Sequence, residues 1–252
     1  GVVVGVDMEH AATFRRLVRP LSALPRTVPR NRRAVFVLSP PRSGSTLLRV
    51  MLGGHPRLFA PPELELLSFT TLAERRAAFV GRDSFWLEGL VRAAMEARDW
   101  SAEAAQAALA AREREGLTTL ELYGRLQDWL GERVLVDKTP SYALDPAILA
   151  RAEEGFEEPF YIHLIRHPYG MIHSFEEAKL DQIFFRREHP FSRRELAELI
   201  WLVSHDNVTA FLARVPKRRQ HRVRFEDLVR EPDRTLCELC AALGVDYNPA
   251  MA

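Results

Sequence analysis

The stretch VFVLSPPRSGSTLLR, residues 35–49, decides the fold of this 252-residue chain. Its first four residues are apolar and predict a buried strand, and the residues after the turn predict a helix. The turn carries Arg42, Gly44 and three hydroxyl side chains, those of Ser43, Ser45 and Thr46. A helix N-terminus offers unpaired N–H groups and the positive end of the helix dipole. The stretch therefore predicts a loop that binds a phosphate or sulfate group.

A second strand and turn lie further along the chain. Residues 160–165 predict a strand, Arg166 follows it directly, and Ser174 lies in the next predicted helix. Ligands of open α/β sheets bind beyond the carboxyl ends of the strands, which is where Arg166 leaves this strand. An arginine and a hydroxyl group suit a dianionic phosphate. We therefore expect a second anion site at the same edge of the sheet.

Predicted strands and helices alternate along the chain. The predicted strands are 35–38, 134–136, 160–165 and 222–225. The predicted helices are 7–20, 63–79, 84–98, 102–114, 118–130, 145–154, 169–180, 192–214 and 232–243. This alternation predicts an α/β fold with a mainly parallel central sheet and helices on both faces.

Composition limits the class of protein. The net charge of +1 argues against a generic nucleic-acid binder, and no stretch is long and apolar enough to span a membrane. The opening residues 1–6 lack the basic start of a signal peptide. Cys237 and Cys240 are expected to be free thiols, and two cysteines favour a reducing, cytoplasmic location. Because the chain begins without Met, we expect it to be a piece of a longer protein.

The first motif is not a Walker A loop, because that loop needs glycine and lysine where this chain has Ser39 and Ser45. It resembles the 5′-phosphosulfate loop of sulfotransferases that use PAPS (3′-phosphoadenosine 5′-phosphosulfate). Arg166 and Ser174 match the spacing of the residues that bind the 3′-phosphate in that family. The resemblance implies a P-loop-like sulfotransferase fold, PAPS as donor, PAP as product and no metal. The donor-binding residues that it implies are Arg42, Ser43, Gly44, Ser45, Thr46, Arg166 and Ser174.

The resemblance also divides the chain and implies catalytic residues. Residues 1–33 are expected to form an N-terminal helix and linker, and residues 34–252 the sulfotransferase domain. Transfer needs a base for the acceptor hydroxyl and a cation for the charge on the transferred group. Glu63 resembles the base of tyrosylprotein sulfotransferases, and Lys138 resembles the lysine that contacts the sulfuryl group in related enzymes. Glu65 stands where the tyrosylprotein enzymes carry arginine, so a preference for acidic peptides is not supported.

Two histidines are alternative bases, because imidazole titrates near neutral pH. His205 lies on the long predicted helix that begins at residue 192, and His189 lies in the irregular stretch 180–190. The sequence leaves open which of Glu63, His189 and His205 is the base.

Three stretches sharpen the resemblance to the sulfotransferase domains of modular polyketide synthases of the curacin type. They are residues 58–67, 137–144 and 174–182. Such domains sulfate the β-hydroxyl of an acyl chain on an acyl carrier protein, and a thioesterase step then forms a terminal alkene. The resemblance implies an acyl carrier protein and a thioesterase domain as partners. Phe225 stands where many relatives have tyrosine, and the Arg-Lys-Gly motif of cytosolic sulfotransferases is absent.

The segment 180–191 is a candidate for contact with the acceptor. Residues 180–191 mix aromatic and charged side chains, which suits a flap over an apolar chain. Two other functions remain open: a stand-alone sulfotransferase for a sugar, peptide or small alcohol, and a non-catalytic nucleotide-binding module. Acyl chain length, stereochemistry and oligomeric state are not determined by the sequence.

Overall fold

The computed structural model describes residues 5–252, so the expectation for the opening residues lies largely outside the described part. Its strands are β1 (Val35–Leu38), β2 (Leu58–Phe59), β3 (Val134–Lys138), β4 (Phe160–Ile165) and β5 (Gln220–Arg224). They form one parallel sheet in the order β2-β3-β1-β4-β5. The predicted α/β fold with a mainly parallel sheet is confirmed.

Helices connect and cover these strands. They are α1 (Met8–Leu17), α2 (Ser45–Gly53), α3 (Leu72–Ala78), α4 (Glu88–Arg98), α5 (Ala102–Arg114), α6 (Thr119–Leu130), α7 (Pro146–Gly155), α8 (Pro168–Glu177), α9 (Arg193–Leu212), α10 (Phe225–Arg230) and α11 (Pro232–Leu243). Capping boxes stand at the starts of α6 and α9, formed by Thr118 with Glu121 and by Ser192 with Glu195. Within residues 5–252, no helix is long and apolar enough to cross a membrane.

Both faces of the sheet are buried, as predicted. Successive side chains of a strand point to opposite faces. On one face, Phe36 and Leu38 pack in a cluster with residues of α4, α6, α7 and α9. On the other face, Val35 and Val37 pack with residues of α2 and α11. The central strand therefore has no face exposed to water, which explains its continuous apolar run.

The predicted helix over residues 63–79 is wrong, because α3 covers only Leu72–Ala78 and residues 60–70 have no regular structure. The backbone N–H groups of Leu66 and Leu67 donate to Tyr142 Oη at 3.0 and 3.2 Å instead of to carbonyls in a preceding helical turn. Glu65 also has a φ of 52°, in the left-handed region. Contacts with a distant tyrosine thus override the local helical pattern.

Smaller differences concern the ends of elements. The predicted helix 84–98 begins as a 3₁₀ helix over Gly81–Leu87 before α4 starts. The predicted strand 222–225 starts two residues earlier, and Phe225 already belongs to α10. The division into residues 1–33 and 34–252 stays a prediction.

Candidate active site

The order of the strands brings the two predicted motifs together. β1 lies between β3 and β4, with Val37 beside Lys138 and Leu38 beside His163. Because the three strands are parallel, their carboxyl ends lie at one edge of the sheet. The loop after β1, the last residue of β3 and Arg166 after β4 therefore meet at this edge.

Gly44 shapes the start of α2. It is the N-cap residue, its φ is 87°, and no side chain caps the helix. A Cβ atom at this position would lie 2.2 Å from an atom of the Phe225 ring, so only glycine fits. The first-turn N–H groups of α2 therefore have no capping side chain and remain available to an anion.

Arg42, Arg166 and Ser174 form one hydrogen-bonded group. Arg42 Nε donates to Ser174 Oγ at 2.7 Å, and Arg166 Nη1 donates to the Arg42 carbonyl oxygen at 2.9 Å. The Arg166 guanidinium carbon lies 4.6 Å from the centroid of the Phe225 ring. Trp201 Nε1 donates to the Arg166 carbonyl oxygen at 3.0 Å. These contacts fix both arginines beside the N-terminus of α2.

A cavity of about 310 Å³ opens over this group. It is lined by Pro41, Arg42, Gly44, Ser45, Thr46, Glu63, Trp86, Pro140, Arg166, Ser174, Leu180, Phe184 and Phe225. Six of the seven predicted donor-binding residues therefore contribute to its wall. Ser43 does not, because its buried hydroxyl donates to the Pro41 carbonyl oxygen at 3.4 Å.

Glu63 and Lys138 form an ion pair at the side of this cavity. Lys138 Nζ donates to Glu63 Oε1 at 2.8 Å and to Thr46 Oγ1 at 3.4 Å. The Lys138 side chain is only 4% exposed, whereas that of Glu63 is 25% exposed. The Glu63 carboxylate is thus accessible from the cavity, and the Lys138 ammonium group lies next to the first turn of α2.

A buried network fixes the end of β3 from which Lys138 projects. Asp137 is fully buried and accepts hydrogen bonds from Tyr123 Oη, from Tyr142 Oη at 2.9 Å and from Thr139 Oγ1 at 2.7 Å. Burial raises the pKa of the Asp137 carboxyl group. Because Tyr142 Oη also accepts from residues 66 and 67, the network ties β3 to the segment that carries Glu63.

Neither predicted histidine lines the cavity. His205 Nδ1 and His163 Nε2 are 2.9 Å apart, and burial lowers the pKa of His205 to about 4 and that of His163 to about 3. His205 Nε2 has no hydrogen-bond partner in the described part of the chain. His189 Nδ1 accepts from the Phe191 backbone N–H at 3.1 Å, and the two rings stack. The structure therefore brings Glu63 and Lys138 together and leaves both histidines apart from them.

Trp86 is a wall residue that the sequence reasoning missed. It lies in the 3₁₀ helix over Gly81–Leu87 and lines the same cavity as the donor loop. Arg186 Nη1, from the predicted flap segment, lies 2.8 Å from Asp83 Oδ1 of the same 3₁₀ helix. Trp86 falls inside the predicted helix 84–98, and no signal in the sequence marked it as a cavity residue. No group of three or more His, Cys, Asp or Glu side chains suited to a metal ion occurs among residues 5–252.

Comparison with known proteins points to one family. A model of the sulfotransferase family matches residues 34–249. The nodulation protein NoeE of Sinorhizobium fredii (strain NBRC 101917 / NGR234) is 30% identical over 233 residues, which cover 85% of this chain and 50% of that protein. The chain therefore spans about half the length of this curated relative.

Two solved structures are more similar. The sulfotransferase domain from the curacin biosynthetic pathway is 40% identical, with a TM-score of 0.82, over 88% of this chain and 77% of that one. The sulfotransferase domain from the Synechococcus PCC 7002 olefin synthase is 39% identical, with a TM-score of 0.83, over 91% and 80%. The predicted resemblance to the curacin-type domains and the predicted fold are both confirmed. The chain belongs to the sulfotransferase family of enzymes.

Proposed function

We propose that the chain transfers a sulfuryl group from PAPS to the β-hydroxyl of an acyl chain on an acyl carrier protein. The observation that carries the proposal is the Glu63–Lys138 pair, at 2.8 Å, beside the anion-binding start of α2. A base that lines the cavity, a cation paired with that base and an adjoining anion site are what sulfuryl transfer to an alcohol requires. The likeness to domains from curacin biosynthesis and from an olefin synthase supports the choice of acceptor.

The residues at the cavity fit PAPS, which carries a 5′-phosphosulfate and a 3′-phosphate. The Gly44 turn leaves no room for a side chain between the loop and Phe225, so the backbone itself forms the cradle for the 5′-phosphosulfate, with Ser45 and Thr46. Arg166 and Ser174, joined through Arg42, are the group for the 3′-phosphate. Charge-assisted hydrogen bonds from arginine are the strong contacts to such anions.

In the proposed reaction, Glu63 accepts the proton of the acceptor hydroxyl as its oxygen bonds to the sulfur. The bond between this sulfur and the phosphate oxygen breaks, so the electron pair of that bond leaves with PAP. Lys138 and the first-turn N–H groups of α2 stabilise the charge that develops on the transferred group and on the leaving oxygen. The wall residues Trp86 and Phe184 hold the acceptor in line with the breaking bond and exclude water.

The surroundings favour Glu63 over the histidines as the base. His205 shares a hydrogen bond with His163, and burial makes both rings weaker bases than free imidazole. The His189 ring stacks on Phe191 and does not reach the cavity wall. Glu63, in contrast, lines the cavity and is oriented by Lys138.

A carrier protein and a thioesterase domain complete the proposal. The carrier would present the acyl chain on its phosphopantetheine arm, and the sulfate would become the leaving group in the terminal-alkene step. The test is transfer of radiolabelled sulfate from PAPS to a panel of acceptors. We expect a β-hydroxyacyl carrier protein to react faster than a sugar, a peptide or a small alcohol.

The same panel tests the other functions. Faster transfer to a free sugar, peptide or alcohol would overturn the carrier-bound acceptor and favour a stand-alone sulfotransferase. Binding of PAP without transfer to any acceptor would identify a non-catalytic nucleotide-binding module.

A further inference from the structure

A second cavity of about 250 Å³ adjoins the one that contains Glu63. Trp86 and Phe184 line both cavities, so these two aromatic residues lie where the two spaces adjoin. The side chain of Glu65, two residues after Glu63, also lies in the wall of the second cavity. A substrate whose reacting group lies at Glu63 would therefore pass Trp86 and Phe184 on entering the second space.

The wall of the second cavity is largely apolar. Its apolar members include Leu21, Phe69, Phe79, Leu144, Ile148 and Phe185. Two of its polar residues are engaged with other side chains: Arg19 with Glu74 at 3.2 Å, and Glu65 with Ser141 at 2.9 Å. Burial of a hydrocarbon chain against such a wall is favourable in proportion to the apolar area removed from water.

Part of this wall comes from residues that precede the region matched by the family model. Val18, Arg19 and Leu21 line the cavity, whereas the matched region begins at residue 34. The Arg19 guanidinium carbon lies 4.8 Å from the centroid of the Phe69 ring, which fixes this segment against the opposite wall.

The helix before this segment is anchored firmly to the rest of the chain. Phe14 of α1 is fully buried, and its ring centroid lies 5.0 Å from that of Phe185. Arg15 Nη1 donates to Asn207 Oδ1 of α9 at 2.7 Å. The wall that follows α1 is therefore held in place by contacts with α9 and with the flap segment.

We propose that the second cavity binds the hydrocarbon tail of the acyl acceptor and that residues 18–21 set the chain length that fits. The inference rests on the proposed function, because it takes the reacting hydroxyl to lie beside Glu63. A tail that passes Trp86 and Phe184 enters a space whose wall includes Val18 and Leu21. Short acyl chains end before this wall, whereas long ones fill the cavity.

The test places a larger side chain at wall positions between residues 18 and 21, so that less of the second cavity is open to the tail. Leu21→Trp and Val18→Trp are compared with Ser22→Trp, because Ser22 is exposed and does not line the second cavity. Acceptors are β-hydroxybutyryl-pantetheine and β-hydroxydodecanoyl-pantetheine. We expect each wall variant to lower kcat/KM for the dodecanoyl acceptor about 10-fold or more and to leave the butyryl acceptor unchanged. Ser22→Trp is expected to behave like the wild type with both acceptors.

A binding measurement keeps this inference separate from the proposed function. Calorimetry measures unreactive dodecanoyl-pantetheine added to the protein saturated with PAP, and PAP affinity reports that each variant is folded. Weaker dodecanoyl binding in the wall variants supports the inference even if no acceptor is sulfated, a result that would overturn only the proposed function. Equal losses for short and long chains, unchanged dodecanoyl binding in folded wall variants, or no dodecanoyl binding by the wild type would overturn the inference.

Discussion

The donor side and the acceptor side of the cleft are built in different ways. On the donor side, the ends of the three adjacent strands β3, β1 and β4 present a glycine turn, two arginines and a lysine at one edge of the sheet. On the acceptor side, the walls are irregular or 3₁₀ segments: residues 60–70, the 3₁₀ helix 81–87 and the flap segment 180–191. These segments are joined by side-chain contacts such as the Arg186–Asp83 ion pair.

The donor site and the acceptor site are expected to respond differently to single substitutions. The backbone positions of the donor site are set by strand register, so they change only if the sheet itself changes. An acceptor site held by side-chain contacts between distant segments can be altered one residue at a time. We therefore expect donor-side substitutions to affect PAP binding for every acceptor, and acceptor-side substitutions to change the choice of acceptor.

The largest effect is expected at the point where the two sides meet. Glu63→Gln keeps an oxygen that can accept from Lys138 but removes the base, so the single-turnover rate should fall about 10²–10⁴-fold. Affinity for PAP should change little, because Glu63 is not one of the residues assigned to bind the phosphate groups. His205→Ala and His189→Ala are measured on the same carrier-bound substrate. Near-normal turnover by Glu63→Gln together with a dead histidine variant would assign the base to that histidine.

The next largest effect is expected on the donor side. Arg42→Ala and Arg166→Ala each remove charge-assisted contacts to an anion, so PAP affinity measured by calorimetry should fall by about 1.5–3 kcal/mol. Arg218→Ala is the matched control, because Arg218 pairs with Glu158 next to the amino end of β5, away from the carboxyl edge that holds the site. Unchanged PAP affinity in both donor-side variants would contradict the assigned anion site.

Glu65 on the acceptor side gives a pH-dependent effect on stability. Burial, with a contribution from nearby Glu63, raises the pKa of Glu65 to about 8. Between its ordinary pKa and about 8, the folded chain keeps a proton that the unfolded chain has released. The free energy of unfolding should therefore fall as pH rises through this window, by at most about 1.4 kcal/mol per pH unit from this residue.

The measurement is urea unfolding across that pH window for the wild type, Glu65→Gln and Glu103→Gln. Glu65→Gln should flatten the decline, because glutamine does not titrate. Glu103→Gln, at an exposed position on α5, should retain it. Identical pH slopes for the wild type and Glu65→Gln would contradict the raised pKa.

The last prediction is that removal of divalent metal ions leaves the rate of sulfate transfer unchanged. Sulfate transfer should persist in excess EDTA, because Arg42, Arg166 and Lys138 already supply positive charge at the edge of the sheet. The measurement is the rate of transfer in excess EDTA and the rate after Mg²⁺ is added. Loss of transfer that Mg²⁺ restores would indicate a metal-assisted reaction and contradict this account.

The donor side was predictable because its signals are local. The apolar run 35–38 can only be buried, and Gly44 occupies a left-handed conformation that suits the start of a helix. Parallel strands then bring Arg166 to the same edge as Arg42, since the carboxyl ends of such strands lie together. The starts of α6 and α9 were predicted within one residue, because each is set by a capping box that lies within one turn of the helix.

What the sequence determined by itself was thus four of the five strands, the anion-binding loop and the positions of the two arginines, since each depends on neighbouring residues; it did not predict β2 or the order of the strands. Only the tertiary structure decided the acceptor side. Residues 63–71 have a helical pattern, but Tyr142 takes the N–H groups that a helix would use. Trp86, Phe184 and Leu21 come together although they are far apart in the chain. Such contacts depend on how the whole chain packs, and no local pattern of residues encodes them.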